Sequence, residues 1–286
     1  MIEERAGRID YKETGDGPTI VFVPGSCSTG AAWRPVIAAL NGGFRCVTTS
    51  LLGYGETSER RTALDPSISH EADIVEAVIR KAGERVHLVG HSFGGLAALA
   101  VALRKEVAID SLTIVESPAV EALREFGEDQ HYRTFLDMTD AYFSAFRGGD
   151  REAIASMIDF YGGAGTFASW PPRTRAYAAE TTPVNILDWE SAFGFRVTAA
   201  EFATIDVPVL VMRGGASHPA MQRANELLST CIERASLVTI AEAAHFMIAT
   251  HAEDVSHAIA GHVTRAASWK ADLFWSSRAR QSLSGD

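Results

Sequence analysis

Cysteine is scarce in this chain: three in 286 residues, Cys27, Cys46 and Cys231, widely spaced and without a C-x-x-C pair. That spacing argues against a disulfide framework and against a zinc site, so no metal ligand set is expected. Positive charge is in deficit, with 26 Lys and Arg against 36 Asp and Glu, a formal net charge of −10 and no basic cluster. A surface of that sign disfavours nucleic acid and anionic membranes as partners. Long apolar runs are missing as well; the most apolar helical stretch, after Ser92, stops at Arg104-Lys105, far short of a membrane span. The first residues, Met1-Ile2-Glu3-Glu4-Arg5, are charged and lack the apolar core of a signal peptide, and a soluble cytoplasmic protein is the expectation. There is no internal repeat.

What is there is ordinary globular composition, 47% hydrophobic and 22% charged, in a chain long enough for one large domain or a domain with an insertion. Residues 8–15 alternate and run into Gly15-Asp16-Gly17-Pro18, predicting a hairpin into a central strand at Thr19–Val23, whose continuous apolar run marks burial on both faces. A helix around Trp33–Leu40, a strand at Phe44–Thr49, a helix at Ser69–Ala82 and strands at Val86–Val89 and Ser111–Glu116 continue the rhythm. From about Ala119 to Ala203 the alternation stops, and helical segments carry well over half of the chain's aromatics. The rhythm resumes with a strand at Val207–Met212, a helix near Met221–Thr230, a strand at Ser236–Ile240 and a helix at about Asp254–Ala266. Strands alternating with helices imply an α/β fold with a mostly parallel sheet covered on both faces. Its active site is expected at the carboxyl ends of the strands.

One stretch organises the chain. Val86 to Val89 reads as a buried strand, Gly90-His91-Ser92-Phe93-Gly94 spells G-x-S-x-G, and Gly94 to Leu103 has the composition of a buried helix. A serine between strand end and helix start needs a sharp turn, and glycines at 90 and 94 leave room where a Cβ would collide. Such a turn lifts the hydroxyl over the sheet, near the positive end of a helix dipole. The alternative is a glycine-rich turn with an incidental serine; the strand before and helix after favour Ser92 as nucleophile. A serine needs a base, most often histidine held by a third group. Of nine histidines, His245 follows the last strand in a loop. His87 lies within a strand, His251, His257 and His262 fit helix surfaces, and His91 reads as structural.

The order of hairpin, Pro24-Gly25 loop, G-x-S-x-G turn, aromatic insertion and late histidine resembles the α/β-hydrolase superfamily over residues 8–265. The resemblance implies an α/β-hydrolase fold with a core of residues 1–118 and 204–268, a helical cap of residues 119–203 inserted after the sixth strand, and a C-terminal extension of residues 269–286. It also implies an oxyanion hole from the backbone N–H of Phe93 and of Ser26, or alternatively Cys27. In the family the triad acid usually follows the strand equivalent to Val209–Met212, where this chain has Ser217 instead of aspartate. Some branches draw the acid from the end of the strand after the nucleophile helix, which is Glu116 here. With serine at 217, the expected triad is Ser92–His245–Glu116, similar to that of certain amide hydrolases. The loop Leu51 to Gly55 keeps only the glycines of the family's pattern.

The resemblance and the aromatic insertion together predict a serine hydrolase acting on a small carboxylic ester or amide, with a small molecule as its partner and no metal or organic cofactor. Carbon–carbon bond hydrolysis of a diketone-like substrate, a cofactor-free lyase or oxygenase, and a ligand-binding protein stay open beside it. Among Phe135, Tyr142, Phe143, Phe146, Phe160, Tyr161 and Trp189, some are expected to face the cleft. The candidate pocket residues are Cys27, Tyr142, Phe143, Phe146 and Trp189. The aromatics of the tail from Trp269 to Trp275 suggest docking on the body or on a second subunit, giving a homodimer in the latter case, and Gln281 to Asp286 reads as disordered.

Overall fold

A computed structural model describes residues 1–4, 7–83 and 85–282, with side chains for residues 1–3, 7–83 and 85–267. Strands β1 (Ile2–Glu4) and β2 (Gly7–Ile9) pair with each other as a separate antiparallel ribbon. Strand β3 (Lys12–Thr14) enters the main sheet but does not pair with β4 (Thr19–Val23) as the hairpin reading expected; it lies antiparallel to β5 (Arg45–Thr48). The cause is the apolar character of β4. Both its edges are taken by parallel partners, β5 and β6 (Val86–His91), so the preceding strand is displaced to the sheet margin.

The sheet continues through β7 (Ile109–Val115), β8 (Val209–Gly214) and β9 (Ala235–Ile240), in the order β3-β5-β4-β6-β7-β8-β9, with every neighbouring pair after β3 parallel. This is the mostly parallel sheet that the alternation of strands and helices implied, and the α/β-hydrolase architecture that the resemblance implied. Period-two burial divides the core. Val21, Val23, Leu88, Leu112 and Val211 join one apolar cluster, while Ile20, Phe22, Val89, Val115 and Met212 join another. Each of these side chains, at 0% exposure, contributes on the order of 1.5–3 kcal/mol of burial.

Helix α1 (Arg34–Ala39), entered through a 3-10 turn at Gly30–Trp33, packs against the later α13 (Ala252–Ser282). Helices α2 (Ser69–Ala82) and α3 (Phe93–Arg104) pack against each other, and α3 lies on β6. Between β7 and β8 come seven helices: α4 (Val120–Glu125), α5 (Asp129–Arg147), α6 (Ile154–Gly162), α7 (Thr166–Ser169), α8 (Pro172–Glu180), α9 (Thr182–Gly194) and α10 (Ala199–Phe202). This insertion follows the seventh strand in chain order, not the sixth, because residues 2–14 form three short strands. Helix α11 (Pro219–Cys231) and the short α12 (Met247–Thr250) complete the chain before α13. No described helix is long and apolar enough to cross a membrane. Helix α13 outruns its expected end at Ala266 and includes Gln281 and Ser282; the side chains of the Trp269–Trp275 tail and residues 283–286 lie outside the described residues.

Candidate active site

Loops at the carboxyl ends of β4, β6, β7, β8 and β9 build the site. Ser92 stands between β6 and α3 at φ 55° and ψ −127°, a backbone region that non-glycine residues seldom occupy. Its N–H is held by Val115 O at 3.0 Å. The flanking glycines are there for space: a Cβ on Gly94 would strike the Pro24 carbonyl, and one on Gly90 the Gly94 carbonyl. A Cβ on Gly25 would come within 2.8 Å of the Ser92 Cβ, so the loop after β4 lies directly against the serine.

His245 follows β9, and its Nε2 lies 2.9 Å from Ser92 Oγ while its Nδ1 lies 3.0 Å from Glu116 Oε2. An ionised carboxylate only accepts, so Nδ1–H donates to Glu116 and Nε2 is left to accept the Ser92 proton. Glu116 is the first residue past β7, wholly buried, at φ 45°. That left-handed turn sends its side chain across the end of β8. There Oε1 accepts the Gly214 N–H at 2.7 Å and Oε2 accepts the Ser217 hydroxyl at 2.9 Å. Ser217 therefore touches the carboxylate, a contact the sequence reading had not foreseen. Asn225 of α11 pins the next residue, bonding both the N–H and the carbonyl of Ser117 at 3.0 Å.

His91 supports the histidine loop from below. Its Nε2–H donates to the His245 carbonyl at 3.0 Å, and burial, with the nearby His245, pushes its pKa down to about 3. It stays neutral at ordinary pH. From the insertion, Tyr161 of α6 lays its ring on His245, centroids 4.2 Å apart and planes 24° apart, and Phe246 meets the imidazole edge-on.

A cavity of about 410 Å³, its mouth included, opens above Ser92 and His245. Ser26 and Phe93 line it, as does Trp189; Met157, Ile158, Tyr161, Ala192 and Phe246 supply apolar wall, and Asn185 and Asp188 its polar side. Four of the expected pocket residues are elsewhere. Cys27 is buried behind the loop, with its thiol pushed up to about 12 by burial and the charge of Asp188, which leaves it inert. Tyr142 is buried under α9, its hydroxyl donating to Asn185 Oδ1 at 3.0 Å; Phe143 packs edge-on against Tyr142, and Phe146 packs on the same core cluster. Helix α5 thus spends its aromatics on core, and α6 and α9 line the cavity. Asn185 and Asp188 had escaped the reading although a signal exists: 185, 188, 189 and 192 fall at helical spacing on one face of α9.

Asp188 is the hub of a second buried cluster. Its Oδ2 accepts the Ser26 and Tyr54 hydroxyls, each at 2.6 Å, and its Oδ1 accepts Arg61 Nη1 at 2.7 Å. Arg61, with no exposed side-chain surface, also meets Glu59 at 2.8 Å and Glu71 at 3.3 Å. Burial raises the carboxyl of Glu71 to about 8 and also raises that of Asp188, against the lowering pull of Arg61. Among the described residues no group of three or more His, Cys, Asp or Glu is placed to hold a metal ion.

The chain is similar to proteins of known class. RutD of Agrobacterium fabrum, provisionally named a carbamate hydrolase, is 36% identical over 112 residues, 39% of this chain and 41% of that protein. The pimeloyl-[acyl-carrier protein] methyl ester esterase of Vibrio campbellii is 31% identical over 120 residues, 41% of this chain and 44% of that one. The chain spans less than half the length of these curated relatives. In fold it superposes on the enol-lactonase of Burkholderia xenovorans with a TM-score of 0.71 at 20% identity, covering 91% of this chain and 98% of the other. The model of the alpha/beta hydrolase family matches residues 20–258, most of the chain from β4 into α13, and the protein belongs to that family.

Proposed function

We propose that the protein is a serine hydrolase that cleaves a small carboxylic ester or amide through an acyl-enzyme. The observation that carries this reading is the continuous relay from Glu116 through His245 to Ser92, at 3.0 and 2.9 Å, beneath a cavity walled mostly by apolar side chains. Ser92 Oγ attacks the substrate carbonyl as His245 Nε2 takes its proton. Glu116 holds the imidazole in the tautomer that can accept, and it stabilises the imidazolium that results. The N–H groups of Phe93 and Ser26 bond the oxyanion, the term that usually lowers such barriers most. His245 then gives its proton to the leaving alcohol or amine, whose bond to the acyl carbon breaks. Water, deprotonated by the same histidine, attacks the ester of Ser92 and releases the acid. No step calls for a metal or an organic cofactor.

The cavity limits the acyl group. Among the described residues its lining holds aromatics and methyl-bearing side chains but no Lys or Arg, and Asp188 is its one carboxylate. An uncharged acyl chain fits such walls and a carboxylate-bearing one does not. The helical insertion is read as a cap over the strand ends, supplying Tyr161 and Trp189 to the pocket. Incubation with a fluorophosphonate followed by peptide mass spectrometry tests the reading. A single adduct on Ser92, lost in His245→Ala, is expected; a folded protein that takes no adduct would refute it.

A further inference from the structure

The Asp188 cluster takes no part in the proton relay, yet it borders the reacting atoms. It joins three segments far apart in sequence: the loop after β4 through Ser26, the loop after β5 through Tyr54 and Arg61, and insertion helix α9 through Asp188 itself. Ser26 is the residue whose N–H faces the oxyanion in the hydrolase reading. A loop amide works in that role only if held to within a fraction of an ångström, since its value lies in needing no reorganisation during reaction. Two bonds fix this loop. The Ser28 hydroxyl closes it from within by donating to the Gly25 carbonyl at 2.8 Å, and Cys27 turns the backbone through φ 55°. From outside, the Ser26 hydroxyl is tied to Asp188 at 2.6 Å.

Charge explains why the tie takes this elaborate form. A bare carboxylate in the same cavity would repel the oxyanion that forms on Ser92's substrate. Arg61 on the far oxygen, though shared with Glu59, offsets part of that charge, and the two hydroxyls use the near one. The same cluster gives a use to Tyr54, in the loop where the chain departs from the family's pattern.

We propose that Asp188 is a positioning residue: from α9 it fixes Ser26, and through it one oxyanion donor, so that the site is complete only while α9 is seated on the two core loops. This rests on the serine-hydrolase reading. Asp188 touches neither nucleophile nor base; it acts through Ser26.

The test uses the full chain and a fluorophosphonate, resolving its reaction with Ser92 into a maximal rate constant (kinact) and a half-saturating concentration (KI). The variants are Ser26→Ala, which keeps the N–H and removes the tie, Asp188→Asn, and the two combined, each checked by circular dichroism. Ser26→Ala should lower kinact about 10-fold with KI within twofold, a fraction of the ~10²–10³ lost when an oxyanion donor is deleted outright. The double variant should be no slower than the slower single one, because both break one tie. A kinact for Ser26→Ala within twofold of the wild type would overturn the proposal, as would a change confined to KI or a double variant whose losses multiply. Should Asp188→Asn fail to fold, Ser26→Ala decides alone. Wild-type protein that is folded and unlabelled overturns the hydrolase reading and this proposal with it, whereas labelled wild type with an indifferent Ser26→Ala overturns only the proposal.

Discussion

Replacing Glu116 by glutamine should be far more damaging than its near-identical shape suggests. The carboxylate accepts three bonds and donates none: Gly214 N–H on Oε1, and Ser217 O–H and His245 Nδ1–H on Oε2. A carboxamide has one oxygen to offer. If that oxygen stays with Gly214, the NH2 group faces His245 Nδ1 and stabilises the tautomer protonated at Nε2. That nitrogen then donates to Ser92 instead of taking its proton. If the amide flips, two N–H groups oppose each other at Gly214 in a site with no exposed surface, at a cost of ~1–3 kcal/mol. The first arrangement should prevail, with kcat reduced about 10⁴-fold, the loss that a triad acid-to-amide change causes in a serine protease, or ~5.5 kcal/mol of barrier. Ser217→Ala supplies the comparison. It removes one of the three bonds and leaves the charge and the His245 contact, so kcat should fall less than about 10-fold while unfolding free energy drops by ~1–3 kcal/mol. Rates on a panel of p-nitrophenyl esters, with urea melts of each variant, measure both quantities. A Glu116→Gln enzyme within 10-fold of wild type, or a Ser217→Ala enzyme slower than Glu116→Gln, would refute the assignment of the acid.

Acid should weaken the fold through His91. Its folded pKa, about 3, lies below the ordinary 6.5, so between those values the unfolded chain binds the extra proton and stability falls as pH drops. His262, lowered to about 4 by burial, adds in the same direction. Wild type should therefore lose stability between pH 6.5 and 4 more steeply than His91→Gln, by up to about 1.4 kcal/mol per pH unit, and parallel urea-melt slopes would contradict it. Gly94→Ala should cost more than ~3 kcal/mol or abolish folding, because the added Cβ meets the Pro24 carbonyl. Gly194→Ala, with open space at the end of α9, should stay within ~1 kcal/mol of wild type by thermal melts. The cavity's lining predicts that a p-nitrophenyl butyrate outpaces the corresponding hemisuccinate in kcat/KM; the opposite preference would mean that the acyl group does not sit beside Asp188.

The sheet was legible in the sequence where strands are buried on both faces. Thr19–Val23 is an apolar run and Val86–Val89 a mostly apolar one, each too short for a helix. Residues 2–14 were legible only as an extended segment before a turn and not in their pairing, because three-residue strands, in a separate ribbon or at the sheet margin, carry the composition of loops. The insertion was legible as helical and aromatic but not in its facing. An amphipathic helix shows which residues are buried without showing what buries them. Tyr142 and Trp189 look alike in sequence, yet one fills core beneath α9 and the other borders the cavity. The Asp188 cluster was hidden for a further reason: Ser26, Tyr54, Arg61 and Asp188 come from three segments whose proximity only the tertiary fold creates.

The proposed acid, Glu116, was read only by substitution of one position for another, and the sheet gives that reading a geometric reason. β7 and β8 are adjacent and parallel, with Val115 opposite Met212, and Glu116 N–H bonds the Met212 carbonyl at 2.8 Å. A side chain leaving β7 one residue past its end therefore meets the loop that leaves β8, and Gly214 and Ser217 both donate to it. The two places open to an acid are thus one place in space, and they cannot both be filled cheaply. Two carboxylates about 3 Å apart without solvent would force one to hold a proton. Serine at 217 is the complement of glutamate at 116: uncharged, small enough to fit beside Gly214, and able to donate. In the proposed triad, its presence in the loop after β8 follows from where the acid stands, and the missing aspartate and the strand-end glutamate are one feature of the sequence.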